Sequence, residues 1–183
     1  MIAMSKFSPG KAYVLVVSML VMLSPVQAQT QQTAEWKSVS GPDGGFTVEM
    51  PGAPVHTEET KKSGGGTDYT SHTYSIDQGN IAYLIQTAVF PTDVDVSTPK
   101  ENLQAAIDAI AKILTDGKWT SVTWVERQGL VAVEGQGIQG EVELRYFALL
   151  NRSQFISMIY AGPPGSAKTP KVDRFLNSLQ IAK

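Results

Sequence analysis

His56 and His72 are the only histidines in the chain, and they are the side chains best suited to bind a metal ion. They lie in consecutive predicted strands. In one register of that hairpin, the two imidazoles lie directly opposite each other and share a metal with Glu58 or Asp68. A slip of one residue removes the pairing. Solvated histidines on strands need no ligand, so the pair stays a candidate and no metal site is predicted.

Two further groups of residues could bind a ligand. Asp93 and Asp95 lie in a loop before the first predicted helix, but a calcium ion needs several more oxygen ligands than two carboxylates supply. Trp36, Trp119 and Trp124 could form an aromatic shelf. Tryptophans in a domain without cystines more often belong to the core, so we interpret them as packing residues. The sequence therefore predicts no cofactor.

Two stretches imitate nucleotide-binding loops. Residues 135–140 spell G-x-G-x-x-G, but residues 141–149 alternate as a strand, whereas the motif needs a helix whose first amides bind pyrophosphate. We interpret these glycines as a wide hairpin bend. Residues 162–169 resemble a Walker A loop, except that Ala167 places a Cβ where the backbone must approach a phosphate. Only one short helix follows, so we interpret the stretch as a proline-rich loop with Thr169 as a helix cap.

The sequence lacks the motifs of common hydrolases. It has no G-x-S-x-G nucleophile elbow, no H-E-x-x-H zinc motif and no cysteine nucleophile. Ser157 and Ser166 have no histidine near them in the sequence. We therefore expect a protein that is not an enzyme.

Charge and cysteine content exclude several classes of partner and site. The chain carries 15 Lys and Arg residues against 17 Asp and Glu residues. Its longest basic run is the pair Lys61 and Lys62, too short for the basic stripe that binds a phosphate backbone, so nucleic acid is not an expected partner. Disulfides and thiolate metal sites are excluded because the chain has no cysteine.

Residues 1–28 have the pattern of an export signal. Two lysines give a positive start, residues 12–23 form an apolar run broken by one serine, and Ala28 is the small residue that signal peptidase needs. The run is short for a stable transmembrane helix, which favours a cleaved signal over the alternative, a permanent N-terminal anchor. We expect cleavage near Ala28, a disordered N-terminus over residues 29–34, and a single domain over residues 35–183. That domain is expected in the periplasm or outside the cell, with no membrane span.

Turn residues and alternating apolar residues predict a series of short strands. The strand over residues 81–90 is apolar on both faces, so we expect it in the middle of a sheet with both faces covered. Antiparallel strands with segregated helices form an α+β arrangement. The predicted strands are residues 36–40, 46–50, 55–61, 67–76, 81–90, 118–127, 130–135, 140–150 and 153–161.

Two helices are also predicted. Thr98 and Glu101 form a capping box around Pro99, which favours a helix start. The helix is predicted to continue until Asp116. Its apolar residues recur at helical spacing and form one stripe, made of Leu103, Ala106, Ile107, Ile110, Ala111 and Leu114. The second helix begins near Pro170, and the apolar residues on one of its faces are Val172, Phe175, Leu176 and Leu179.

The hairpin of residues 55–76 is the most polar one in the chain, and the Ser-Gly-Gly-Gly sequence at its tip, residues 63–66, predicts a mobile loop. The register that faces its two histidines pairs Lys61 with Thr67. We expect this hairpin and the loop of residues 162–168 to form the surface that contacts a partner. The predicted contact residues are Lys61, Lys62, Gly64, Gly65 and Lys168.

Parts of the sequence resemble exported PsbP-like domains. Trp36, a small turn, a strand beginning at Phe46 and the P-G-x-P of residues 51–54 are similar to the opening of such domains. Residues 140–160 look like their closing hairpin, and the F-L-N-S-L of residues 175–179 is similar to their last helix. The resemblance implies the Mog/PsbP-type fold, an antiparallel β-sheet flanked by helices in an α-β-α sandwich. It implies no catalytic residue and no assigned role, since some members of this fold family assist photosystem II and one binds the GTPase Ran.

The sequence therefore predicts an exported, non-enzymatic accessory domain that contacts another exported or envelope protein through its sheet edge or loops. The features behind this prediction are a well-specified core, the lack of a catalytic motif and the polar, glycine-tipped hairpin. The alternative is a small-ligand or metal-binding periplasmic protein that uses His56, His72 and the tryptophans.

Overall fold

The computed structural model describes residues 35–114 and 117–182, which fold around two antiparallel sheets. The predicted export signal over residues 1–28, the N-terminal segment 29–34 and the predicted helix end at Asp116 lie outside the described residues. Neither of the described helices is long and apolar enough to cross a membrane.

The strands and helices follow one another in an order close to the predicted one. They are β1 (Lys37–Ser40), β2 (Phe46–Met50), β3 (Val55–Lys62), β4 (Asp68–Asp77), β5 (Ala82–Val89), α1 (Pro99–Ile113), β6 (Gly117–Arg127), β7 (Leu130–Gln139), β8 (Val142–Asn151), β9 (Gln154–Gly162), α2 (Pro170–Asn177) and β10 (Gln180–Ile181). The larger sheet has seven strands in the order β3-β4-β5-β9-β8-β7-β6, and the smaller has the order β1-β2-β10. Strand β10 was not predicted.

Different layers cover the two faces of the seven-stranded sheet. On one face α1 packs through Leu103 and Ile107 into a cluster with Val133. On the other face the three-stranded sheet and α2 pack together, through Phe46 and Phe175 among others. The predicted antiparallel sheet with two helices is confirmed. The α-β-α sandwich is not confirmed, because the small sheet shares the second outer layer with α2.

Helix α1 buries most of the predicted stripe, namely Leu103, Ala106, Ile107 and Ile110, and Leu114 after its last turn is also buried. Ala111 is exposed. The predicted capping box does not form, since the Thr98 side chain makes no capping hydrogen bond. Instead, the side-chain amide of Asn102 donates to the carbonyl oxygens of Thr98 and Asp95, at 3.1 and 3.0 Å. The helix start is therefore stabilised by Asn102 and by Pro99 in the first turn.

Gly135 and Gly137 lie within β7 and do not form the predicted hairpin bend. The indole of Trp119 on the neighbouring strand covers both glycines. A Cβ at Gly135 would lie 2.8 Å from the indole ring, and one at Gly137 would lie 3.1 Å from it. Only Gly140, with φ of 56°, belongs to the turn that leads into β8. The first two glycines therefore make room for an aromatic side chain, and the strand continues past them to Gln139.

The C-terminal end of the domain is attached to the small sheet. The guanidinium of Arg174 on α2 donates to both carboxylate oxygens of Glu49, at 2.8 and 3.1 Å, and lies 4.3 Å from the ring centroid of Trp36. Strand β10 then pairs Ile181 with Phe46. These contacts join α2 and the three-stranded sheet into one layer.

Candidate functional site

The hairpin of β3 and β4 brings the two histidines together, although not in the register that would place them directly opposite each other. Lys61 pairs with Tyr69 and not with Thr67, so the register differs by two residues. An even shift leaves every side chain on its face of the sheet. His56 and His72 are therefore diagonal neighbours on one face, and Nε2 of His56 lies 3.3 Å from Nδ1 of His72.

Glu58 completes a cluster of three potential metal ligands. Its Oε1 lies 3.4 Å from Nδ1 of His72, its direct cross-strand partner, and 3.9 Å from Nε2 of His56. Asp68, the other predicted acid, instead pairs with Lys62 at 2.5 Å. The side chains of His56 and Glu58 are 39% and 59% exposed, whereas that of His72 is 18% exposed. The cluster is thus backed by the sheet and open to solvent on its outer side.

A buried tyrosine orients the ring of His56. The rings of His56 and Tyr74 stack with centroids 4.3 Å apart and planes inclined by 7°. Tyr74 is 8% exposed, and this burial raises the pKa of its phenol. The ring of His72 is also nearly parallel to that of His56, at 15°. The two-residue spacing of His72 and Tyr74 in the sequence already places both on one face of β4.

The glycine tip of the hairpin is tied to the loop before α1. The hydroxyl of Ser63 donates to the carboxylate of Asp93 at 2.5 Å and accepts the backbone N–H of Thr67 at 3.0 Å. The hydrogen bond from Ser63 lowers the pKa of Asp93. Gly65 lies against the same carboxylate, where a Cβ would clash. Asp95 accepts a different backbone N–H, two residues further along the chain, so the two aspartates make separate local contacts.

The predicted contact residues do not form one surface. The side chain of Lys61 is only 8% exposed, and its Nζ lies 3.2 Å from Glu59. Lys168 is exposed but follows the far end of β9, whereas the hairpin tip lies at the end of the sheet where β9 begins. The exposed candidates at the hairpin tip are Lys62, Gly64 and Gly65.

The loop that resembles a Walker A sequence binds a carboxylate of the protein itself. The carboxylate of Glu143 on β8 accepts the backbone N–H of Ala167 at 3.2 Å, and hydrogen bonds from the amides of Gly165 and Ala167 lower the pKa of Glu143. Thr169 occupies the N-cap position of α2, but its hydroxyl donates to the carbonyl of Ser166 and does not cap the helix. Amides that would meet a phosphate in a nucleotide site thus bind Glu143.

The three tryptophans do not form a common shelf. Trp36 packs against the core on the α2 side of the large sheet, whereas Trp119 and Trp124 pack on the α1 side. The indole N–H of Trp119 donates to the carbonyl of Ile107 at 3.2 Å. Trp124 is half-buried, with Nζ of Lys100 5.0 Å from its ring centroid. Trp124 lines an open groove on the surface.

Strand β6 and a groove beside it form a surface that sequence reasoning missed. β6 is an edge of the seven-stranded sheet, and no strand in the described part of the chain pairs with its outer side. The first turns of α1 and strands β6 and β7 border an open groove of about 530 Å³, whose lining includes Pro99, Lys100, Gln104, Trp124 and Val131. Val122 and Val131 are 37% and 43% exposed. In the sequence, this surface is indicated by the run of residues 119–125, which contains no charged side chain.

No protein-family model and no curated protein matches the sequence. Among solved structures, the solution structure of cyanobacterial PsbP (CyanoP) from Synechocystis sp. PCC 6803 is similar, with 14% identity and a TM-score of 0.55, over 86% of this chain and 98% of that one. A Pseudomonas aeruginosa protein of unknown function, PA94, has 12% identity and a TM-score of 0.41, over 72% of this chain and 85% of that one. The match to CyanoP confirms the predicted PsbP-like fold, and at this identity it concerns the fold alone.

Proposed function

We propose that this protein is an exported accessory domain without enzymatic activity, and that it binds an extended segment of another exported or envelope protein along strand β6. The observation that carries the proposal is the contrast between the two edges of the seven-stranded sheet. One edge is charged, and the other is uncharged over most of its length.

The two edge strands differ in how they resist pairing. Charged side chains on an edge strand discourage another strand from adding to it. Strand β6 has no charged residue between Lys118 and Glu126, and its outer backbone N–H and C=O groups offer a template for strand addition. Strand β3, at the opposite edge, carries four charged residues, Glu58, Glu59, Lys61 and Lys62.

The groove beside β6 supplies a place for a side chain of the added segment. Alternate side chains of a strand paired to β6 point toward the α1 face, where Trp124 and Val131 line the groove. Lys100 lies over the indole of Trp124. The main-chain hydrogen bonds would provide affinity, and the groove favours an apolar or aromatic side chain in the partner.

The N-terminal sequence supports export. A positive start, an apolar run over residues 12–23 and a small residue at Ala28 are the three parts of a secretory signal. The partner is therefore expected in the compartment that the exported chain reaches.

Site-specific photocrosslinking in the producing cells tests the partner surface. We replace Thr123 on β6 with a photoreactive amino acid and, as a matched control, the exposed Thr57 on β3. The expected result is one crosslinked protein from position 123 and none from position 57. Val122→Lys puts a charge on the β6 edge and is expected to abolish that crosslink, whereas Thr57→Lys leaves it unchanged.

Three outcomes would overturn the proposal. They are no crosslink from position 123, an equal crosslink from position 57, or a crosslink from position 123 that survives Val122→Lys. Circular dichroism of each variant shows whether it is folded, so that a lost crosslink is assigned to the surface and not to the fold.

A further inference from the structure

We propose that the protein binds a zinc ion through Nε2 of His56, Oε1 of Glu58 and Nδ1 of His72. The three residues lie on one face of the β3–β4 hairpin, at the opposite edge of the seven-stranded sheet from β6. The zinc site therefore does not depend on the proposed partner contact.

Two of the three distances between these atoms match those expected around tetrahedral zinc. Zinc bonds of about 2.0–2.1 Å separate neighbouring tetrahedral ligand atoms by about 3.3–3.4 Å. The nitrogens of His56 and His72 are 3.3 Å apart, and Oε1 of Glu58 is 3.4 Å from the nitrogen of His72. The remaining distance, between Glu58 and His56, is 3.9 Å, so a small rotation of the exposed Glu58 side chain completes the geometry. Square-planar or octahedral neighbours at the same bond lengths would be closer, at about 2.8–3.0 Å.

The donor set suits zinc chemically. Two imidazole nitrogens and one carboxylate oxygen are common zinc ligands, and the carboxylate offsets one of the two positive charges of the ion. Each imidazole binds metal through a nitrogen without a proton and keeps its proton on the other nitrogen. A hydrogen bond between two neutral histidines would account for the short distance between His56 and His72. Glu58, placed beside His72 by the strand register, adds a third ligand atom within 4.8 Å of both nitrogens.

The hairpin holds the ligands in place before an ion arrives. Glu58 and His72 are direct cross-strand partners, and the ring of His56 stacks on the buried ring of Tyr74. The stacked rings therefore restrict the side chains of His56 and His72 before zinc binds. This restriction lowers the entropic cost of binding the ion. The outer side of the cluster is open, so an ion can enter from solvent, and a water molecule can take the fourth position.

Zinc titration of the purified, chelator-treated protein tests the proposal. Calorimetry is expected to show one saturable zinc site per chain, and zinc is expected to raise the melting temperature. Cobalt(II) at the same site is expected to give the intense visible absorption of tetrahedral coordination. His72→Gln removes a ligand, so the affinity is expected to fall by more than about 100-fold, beyond the roughly 10–100-fold that losing an outer-shell partner costs.

A matched pair of charge-neutralising variants locates the site. Glu58→Gln is expected to weaken zinc binding strongly, whereas Glu59→Gln, one residue further along β3 and on the opposite face, leaves it unchanged. The proposal is overturned if no saturable binding occurs, if Glu58→Gln and His72→Gln bind zinc like the unmodified protein, or if both glutamate variants lose the same affinity. A weak, six-coordinate cobalt spectrum would also overturn it.

Discussion

His56 and His72 are 16 positions apart in the sequence, yet their ring nitrogens are 3.3 Å apart. Ser63 and Asp93, 30 positions apart, are joined by a hydrogen bond in the same way. At the scale of single residues, the side chains of interest meet across strands and loops. A substitution in this protein is therefore expected to act through a neighbour that is distant in sequence.

The hydrogen bond between Ser63 and Asp93 predicts a pH-dependent hairpin tip. It lowers the pKa of the Asp93 carboxyl, so its stabilising effect is fully present above the unfolded-state pKa and is lost as pH falls through the lower folded-state pKa. We expect the Thr67 amide, bonded to Ser63, to lose protection from hydrogen exchange in acid. Asp93→Ala loses this protection at neutral pH as well, and Asp95→Ala keeps it. Nuclear magnetic resonance measures the protection factors, and full protection in Asp93→Ala would contradict the assignment.

Because Gly135 contacts the indole of Trp119, a methyl group added at position 135 is expected to destabilise the protein. Gly135→Ala places a Cβ 2.8 Å from the indole, so we expect a loss of about 1–3 kcal/mol in the free energy of unfolding, measured with urea. The same substitution made together with Trp119→Leu is expected to cost less, because the smaller side chain leaves room. An equal cost in both backgrounds would show that the ring is not the cause.

Which residues of a helix are buried here depends on how the helix packs against the sheet. α1 buries Leu103 and Ile107 against the large sheet, while Ala111, in the same predicted stripe, is exposed. The capping interaction that local sequence predicts is replaced by Asn102, which reaches back to Asp95. Contacts outside each element thus select which of its local patterns are used.

The orientation of α1 predicts a sharp contrast between two aspartate substitutions. Ile107 is 3% exposed, so Ile107→Asp buries an unpaired carboxylate and is expected to abolish soluble expression. Ala111→Asp adds the same group on the exposed side of the helix and is expected to leave the protein soluble and folded. Soluble yield and circular dichroism measure both results. A normally folded Ile107→Asp protein would mean that this helix does not face the core.

At the scale of the whole molecule, the central sheet separates two hydrophobic cores and two chemically different edges. The β3 edge carries the charged residues and the proposed zinc ligands. The β6 edge is uncharged over residues 119–125 and is the proposed partner surface. Five strands separate β3 from β6 in the sheet, so substitutions on one edge strand are expected to leave the function of the other unaffected.

The predicted export signal specifies the mass that the mature chain is expected to have. We expect mass spectrometry of protein from the cell envelope or the medium to show a chain that begins at Gln29, after cleavage at Ala28. Ala28→Tyr is expected to block cleavage, and Ala28→Ser to permit it, because signal peptidase needs a small residue there. Recovery of the unmodified chain from the cytosol with Met1 in place would refute export.

Local pattern was sufficient for much of the fold. Alternating apolar residues and turn residues located nine of the ten described strands, and helical spacing located α1 and α2. The short motifs around Trp36 and Phe46 indicated the PsbP-like fold that the comparison with CyanoP confirms. These features could be predicted because alternation, helical spacing and turn chemistry depend on residues close together in the chain.

The local pattern of apolar and turn residues could not predict how distant segments pair. A two-residue shift in the β3–β4 register leaves every side chain on its predicted face, so alternation could not tell whether His72 faces His56 or Glu58. The role of Gly135 depends on Trp119 in the neighbouring strand, and the edge position of β6 depends on the order of the whole sheet. A residue's face is set by its neighbours in the chain, whereas its partners are set by how all the strands and helices pack together.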